Sequence, residues 1–311
     1  MARRKHIRRI RPLKHHLRKS SSTFILLDQF SAEDINKWTA FQGQYLKYHW
    51  DYYNELAYQR SQIADDIRNS LLEIAQKTFS FTKWQRAVKL KYALKPFSVA
   101  GSLNDPAGGR FNIGDINPSQ FPPFPALYLA GDKNTAYQEL LCQKISPGQE
   151  NQALDSALAN PASIVNFSLS GSLDSIINLS EPENFQPFVN LIKDFLIPDN
   201  LKKAAKDIGE LEPELIRTVS KLMDALLDPN WRLWPMQFDV PVASQIFGQL
   251  AAEAGIEGIL YPSKFTGKDC LAIFPQNFEE GSFVQMDDEA PMEIKIRRLD
   301  AGTWDEIRKS G

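Results

Sequence analysis

Short apolar or alternating runs, interspersed with helices of unequal length, fill residues 126–275, and this irregular order constrains the fold more than any other feature of the chain. Behind the Pro-rich "FPPFP", the run "ALYLA" (126–130) reads as a short strand. "DKNTAYQELLCQKI" (132–145) then reads as a helix, with Asp132 or Asn134 as its cap and Pro147 beyond its end. In "SIVNFSLS" (163–170), Val165, Phe167 and Leu169 share one face, the mark of a half-buried strand. Residues 185–227 look helical and rather polar, punctuated by Pro198 and Pro213. "VASQIFGQLAAEAG" (242–255) is a strong helix ending on Gly255, where glycine suits a left-handed cap. "GILYPS" (258–263) and "CLAIFP" (270–275) come next as strands. Unevenly spaced helices among strands predict an α+β fold rather than a doubly wound parallel sheet.

In front of this region, Ser31 with Asp34 three residues on marks a helix start. From about residue 44 to 77, Leu56, Ile63, Ile67, Leu71 and Ile74 recur at helical spacing, and after Gly43 neither Pro nor Gly interrupts. Tyr45, Tyr48, Trp50, Tyr52, Tyr53 and Tyr58 crowd the first half, an aromatic face expected to pack on the main domain or a partner. Residues 24–95 are therefore expected to form a helical N-terminal extension, closed by Lys95-Pro96.

Composition narrows the chemistry. With 43% hydrophobic and 24% charged residues, the 311-residue chain reads as an ordinary soluble globular protein. No apolar run approaches membrane-spanning length, and none stands behind the basic N-terminus as a secretory signal would require, so a cytoplasmic protein is expected. Cys142 and Cys270 sit in apolar surroundings outside any CxxC pair and read as buried free thiols. Three of the four histidines (His6, His15, His16) lie in the basic tail and the fourth, His49, in a helical stretch. A His-based general base, a Cys–His nucleophile or a zinc site has almost nothing to be built from, and no metal is expected.

Residues 1–20 carry nine Lys or Arg and no acid; with a total of −2, the remainder holds a net charge of −11. A basic arm on an acidic body suits nucleic acid or an acidic partner, while its low apolar content predicts a disordered, solvated tail over 1–23. The arm's composition also fits a transit peptide, though nothing else in the chain points that way.

"NDPAGGRFNIGD" (104–115) places one arginine, Arg110, directly after two glycines and before an aromatic. Glycines let another group approach the main chain, and the guanidinium offers a planar fork of donors for phosphate or carboxylate. "YPSKFTGKDC" is not a phosphate loop, because a Walker A motif needs Gly at 262 and Ser or Thr at 269, where Pro262 and Asp269 stand. What remains is Arg110 on its turn, Tyr128 in a strand, Glu139 in the next helix and Ser263 after a strand, none of which alone signals a function.

Together they do. "GGRFN", "ALYLAGDKNTAYQEL", "SIVNFSLSGSLDSIINLS" and "AAEAGIEGILYPSKFTGKDCLAIFP", in this order over roughly residues 96–275, resemble the successive blocks of a RES domain, a family named for an arginine, a glutamate and a serine. The resemblance implies a mixed β core like that of ADP-ribosyltransferases. It also implies a toxin of a toxin–antitoxin pair that cuts the nicotinamide–ribose bond of NAD+, with water or inorganic phosphate as acceptor. NAD+ would be substrate, with no other cofactor, and a cognate antitoxin protein the partner; a homodimer is left open. Matched by motif, the family's arginine falls on Arg110, its tyrosine on Tyr128, its glutamate on Glu139 and its serine on Ser263, with Phe111 as the aromatic after the arginine.

Chemistry fits those roles. Nicotinamide leaves NAD+ as a neutral molecule, so neither a protonating acid nor the carboxylate pair of ordinary glycosidases is needed. One carboxylate, Glu139, can stabilise the oxocarbenium-like ribose. Arg110 would hold the pyrophosphate, Tyr128 and Phe111 would pack on nicotinamide or shape its pocket, and Ser263 would orient Glu139 or bond the ribose. The expected organisation is a tail (1–23), the helical extension (24–95), the catalytic domain (96–290, with a polar helical insertion at about 181–228) and a C-terminal segment (291–311). Two alternatives stand beside this: ADP-ribosyl transfer to a macromolecule, with the same Glu and Arg but another acceptor, and a non-catalytic RES-fold module using its basic arm on nucleic acid.

Overall fold

The computed structural model describes residues 32–141, 164–210 and 213–310. The basic tail, Cys142 and Pro147 lie outside them.

Two helices lead the chain, α1 (Ala32–Gln62) and α2 (Ala64–Ile74). They part at Ile63, whose amide turns back to the Arg60 carbonyl. Asp65 and Asp66 occupy the first turn of α2, where acidic side chains complement the helix dipole. Ile67 and Leu71, one turn apart, are driven fully into the core.

The chain then becomes a strand. β1 (Gln76–Lys89) pairs antiparallel with β3 (Ile164–Asn178), β2 (Leu127–Ala130) pairs with β5 (Asp269–Ile273), and β5 pairs with β4 (Gly258–Pro262). β1 also touches β2 at Gln85 and Ala130, while β4 runs parallel to the far end of β3. The order β1-β2-β5-β4-β3 therefore closes on itself through β1–β3, making a mixed five-stranded barrel. β6 (Phe283–Met286) and β7 (Arg298–Asp300) extend the sheet from the near end of β3. Closure leaves few unpaired strand edges, and the fold is α+β with a mixed β core, as expected.

The helical extension expected over 24–95 is corrected here: residues 76–89 are the longest partner of β3 and belong to the barrel wall. A bulge between Phe81 and Trp84 hides this in the sequence, because the extra residues break the two-residue alternation. Lys83 sits in the bulge with φ 57°, its amide bonded to Ser170 Oγ at 3.0 Å. Arg86 then bolts the strand to its surroundings, donating to the carbonyls of Pro96, Ser98 and Tyr128. The C-terminal segment set apart at 291–311 is likewise part of the body. Leu299 of β7 and Trp304 and Ile307 of the last helix, Ala301–Ser310, pack into the barrel core.

Alternation along the strands sorts the core into two. Leu127, Leu129, Leu271 and Ile273 point to the same side as Leu169 and Leu173. Ala130, Ala272, Ile259 and Tyr261 point the other way, onto α2 and the later helices. The helices after α2 are α3 (Ala100–Leu103), α4 (Lys133–Leu141), α5 (Gln186–Ile192), α6 (Asp199–Asp207), α7 (Val219–Leu226), α8 (Leu233–Phe238) and α9 (Ala243–Glu253), of which α4, α5, α7 and α9 supply this second core. The stretch at 185–227 is helical as expected, but it is not merely polar: Phe185, Phe188, Val189, Leu222 and Leu226 are buried in this core. Among the described residues no helix is long and apolar enough to cross a membrane.

The aromatic face of α1 packs on the main body: Tyr53 and Trp50 meet Phe121, and His49 stacks on Phe238 at 3.9 Å. Burial pulls the His49 imidazole from 6.5 down to about 4. The unfolded chain therefore takes up the proton first as pH falls, so this contribution to stability is complete above pH 6.5 and declines toward pH 4. Between pH 7 and pH 5, urea denaturation should show the wild type losing roughly 2 kcal/mol more than His49→Phe. Equal losses in both proteins would contradict this role.

Candidate active site

The turn that carries Arg110 is built around two fully buried side-chain amides. Asp105 starts it, accepting the amides of Gly108 and Asp115 on its carbonyl and that of Ala107 on Oδ1. Gly108 takes φ +65°, and a Cβ there would lie 2.5 Å from the Gly114 nitrogen. Gly109 and Asn112 then form an isolated antiparallel bridge. Asn112 donates from Nδ2 to the carbonyls of Ser102, Ile113 and Phe124, and accepts on Oδ1 from the Gly109 amide and the Tyr128 hydroxyl. From α9, Gln245 Nε2 reaches the carbonyls of Ala107, Gly109 and Asn112 at 2.6, 3.1 and 3.1 Å.

Arg110 leaves this turn toward the cleft and is itself only 5% exposed. Its Nη1 donates to the carbonyls of Leu226 and Asp228, at 3.3 and 3.0 Å, beyond the end of α7. Among the described residues no acceptor takes its Nε or Nη2 protons, so part of the fork stays available to an anion. The guanidinium lies 5.8 Å from the Trp231 ring centre, and Arg232 lies 4.8 Å from the same ring.

Tyr128 is a strut as much as a wall. Its hydroxyl donates to Asn112 Oδ1 (2.8 Å) and accepts the Phe111 amide (3.0 Å), while its ring lines the cleft. Burial pushes the phenol well above its usual range, with the Phe111 amide and the Arg110 charge opposing. It therefore stays a neutral donor at ordinary pH.

Glu139 stands on α4. Asp132 caps that helix through the Thr135 amide and hydroxyl, and Thr135 Oγ1 meets Thr266 Oγ1 at 3.0 Å, docking α4 on the loop after β4. On that loop Ser263 Oγ donates to Glu139 Oε1 at 2.7 Å and accepts the amides of Phe265 and Thr266. The serine hydroxyl has its proton aimed at the carboxylate by two backbone donors. Ser263 is 4% exposed and does not itself line the cleft; it lies behind Glu139.

Arg110, Tyr128, Glu139, Trp231 and Arg232 line one cleft of about 630 Å³. Its further cations are Arg86, Lys89, Lys91 and Lys264, against the carboxylates Asp105 and Glu139. Arg110 and Glu139 share a field: both act on the hydroxyls of Tyr128 and Tyr261 and on the Cys270 thiol. Burial, then Glu139, pushes the Cys270 thiol above its usual range, keeping it protonated and a poor nucleophile. Among the described residues no group of three or more His, Cys, Asp or Glu is placed to hold a metal ion.

One expected contact is corrected. Phe111 is fully buried, meets Tyr261 edge-on at 4.9 Å and does not line the cleft. Arg110 and Phe111 are the two residues between the bridged Gly109 and Asn112, and their side chains part there, Arg110 to the cleft and Phe111 to the core. Its backbone lies so close to α9 that a Cβ at Gly248 would strike the Phe111 carbonyl. Sequence reasoning does not single out Trp231, Arg232, Asn112, Gln245 or Tyr261. Asn112 alone carries a local signal, inside "GGRFN".

A family model described as RES domain matches residues 83–293. Among solved structures, the crystal structure of the M. tuberculosis MbcT-MbcA toxin-antitoxin complex matches at 15% identity with a TM-score of 0.39, covering 78% of this chain and 97% of that one. No curated protein matches.

The geometry of the turn yields its own test. A Cβ at Gly109 would run into the Tyr128 hydroxyl and Asn112 Oδ1. Gly109→Ala should therefore destabilise the fold by about 2–4 kcal/mol, as losses in buried hydrogen-bond networks do, whereas Gly101→Ala, with open space around it, should not. Thermal denaturation of the two variants checks this; equal melting temperatures would contradict the packing described.

Proposed function

The chain belongs to the RES domain family, and from that premise we propose that it cleaves the nicotinamide–ribose bond of NAD+, with water or inorganic phosphate as acceptor. The observation that carries the reading is Glu139, a carboxylate held at 2.7 Å by Ser263 on the wall of a cleft dominated by cations. A dinucleotide brings a pyrophosphate for the cations and a cationic glycosidic centre for the carboxylate. The unused donors of Arg110, with Arg232 beside it, suit the pyrophosphate oxygens. The rings of Tyr128 and Tyr261 in the same wall give nicotinamide a flat surface.

In the reaction the C1′–N bond breaks and its electron pair leaves with neutral nicotinamide. Positive charge spreads over C1′ and the ring oxygen, and Glu139 stabilises it without giving up or taking a proton at the leaving group. An oxygen of water or phosphate then bonds to C1′; attack by water releases a proton and gives ADP-ribose, while phosphate gives ADP-ribose 1-phosphate. As a member of this family the chain is read as the toxin of a toxin–antitoxin pair, with a cognate antitoxin protein as its partner.

Nicotinamide release from NAD+, followed by NMR with and without inorganic phosphate, tests the activity and separates the two acceptors. Release only when a macromolecule is added, with ADP-ribose attached to it, would replace the reading by transfer. No release under any of these conditions would overturn it. In the active protein, Glu139→Gln should lower kcat by roughly 10²–10³-fold with little change in NAD+ affinity. Arg110→Ala should weaken NAD+ binding and turnover together. A Glu139→Gln enzyme of near-normal turnover would remove the carboxylate from the mechanism.

A further inference from the structure

A second cavity, of about 300 Å³, lies between α1, α5, α7 and α9. Leu56, Phe188, Ile192, Leu222, Phe247 and Leu250 stand in its wall. Into this apolar space project a cation, Arg60, and the hydroxyl-bearing rings of Tyr52 and Tyr53.

Arg60 stands on this wall without an ion pair to any carboxylate among the described residues; its guanidinium lies 5.8 Å from the Tyr53 ring centre. The two acids on the cavity wall are engaged elsewhere, Glu214 by Lys221 at 2.8 Å and Asp228 by the Asn230 amide at 2.8 Å. Glu253, whose field reaches Tyr53, accepts from Gln249. Burial raises the Tyr52 phenol to about 12 and that of Tyr53 upward, and lowers the His49 imidazole to about 4. At neutral pH none of these three carries charge, so none of them is a counter-ion for Arg60. A cation held in apolar surroundings without a counter-ion is costly unless something supplies one.

We propose that this cavity binds an apolar carboxylic acid, with its hydrocarbon body against the α5, α7 and α9 side chains and its carboxylate on Arg60. Pockets of this kind draw affinity from apolar burial and orientation from one or two polar groups. The guanidinium fork matches a carboxylate with two parallel bonds, and Tyr53, on the same wall, carries a hydroxyl as a further donor. A neutral molecule of the same shape would gain the burial and leave the charge unanswered. This site is distinct from the cation-rich cleft and does not depend on the NAD+ reading.

Isothermal titration of the full chain with decanoate and with decanol tests it, since the two probes share a hydrocarbon chain and differ at the head group. Decanoate should bind at least about tenfold tighter than decanol, the factor expected from one charge-assisted contact. Arg60→Gln should erase that preference and keep the residual apolar binding. Ala225→Phe, which fills the cavity from α7, should weaken both probes by about tenfold or more, the scale of losing apolar burial. Equal affinity of the wild type for the two probes would overturn the proposal, as would a preference that survives in Arg60→Gln. Should Arg60→Gln lack a cooperative melt, Ala225→Phe decides: undiminished decanoate binding in that variant also overturns it.

Discussion

A single buried amide, Asn112, governs how this fold presents its chemistry. A fully buried polar group must find partners or destabilise the fold, and Asn112 finds five across four separate pieces of chain. One partner is the Tyr128 hydroxyl, so the turn is fastened to a barrel strand. Another is the Gly109 amide, so the turn is bent tightly enough to send Arg110 and Phe111 to opposite sides. Gln245 clamps the same turn from α9 through three carbonyls. Arg110 is thus aimed by a polar network rather than by its own packing, and the two preceding glycines are there because a side chain would occupy the space of that network.

The two cavities share structural parts. The Leu226 and Asp228 carbonyls hold Arg110 on the cleft side, while their residues line the apolar cavity on the other. Gly248 of α9 presses on the Phe111 backbone, and its neighbours Phe247 and Leu250 face the second cavity. Interiors packed at crystal-like density transmit displacement rather than absorb it. The position of α7 therefore bears on the guanidinium at the cleft, and α1, which covers the second cavity, belongs to the body of the protein and is no loose appendage.

Legibility in the sequence tracks the range of the interaction. The strands at 126–130, 258–263 and 270–275 are readable because burial on both faces makes a short continuous apolar run between turns. The helices at 132 and 242 are readable from caps and periodicity. β1 is not, because its bulge shifts the alternation midway and the pattern merges with the helix before it. Arg110, Tyr128, Glu139 and Ser263 emerge through motif order, and the structure brings the four together around one cleft with Ser263 behind Glu139. Phe111 is misplaced by the same reading, since a string of letters does not show which neighbour in a bridged turn faces inward. Trp231, Arg232 and Gln245 carry no local signal. They matter only because chain more than a hundred residues downstream folds back over the turn.

Charge makes the same point in energetic terms. Outside its basic arm the chain is strongly acidic, yet the cleft sets six cations against two carboxylates. Net charge governs the distant field, which salt screens within about 10 Å, whereas a bound polyanion meets the groups in contact with it. Within that cationic wall, Glu139 keeps its orientation because Ser263 bonds one oxygen and two backbone amides fix the serine. The carboxylate is thereby held on the cleft wall without being buried behind it. A carboxylate so fixed in a field of cations suits a substrate that is anionic at one point and develops positive charge at another. Simple anion storage is a poor account of such a cleft, because storage alone would be better served without Glu139.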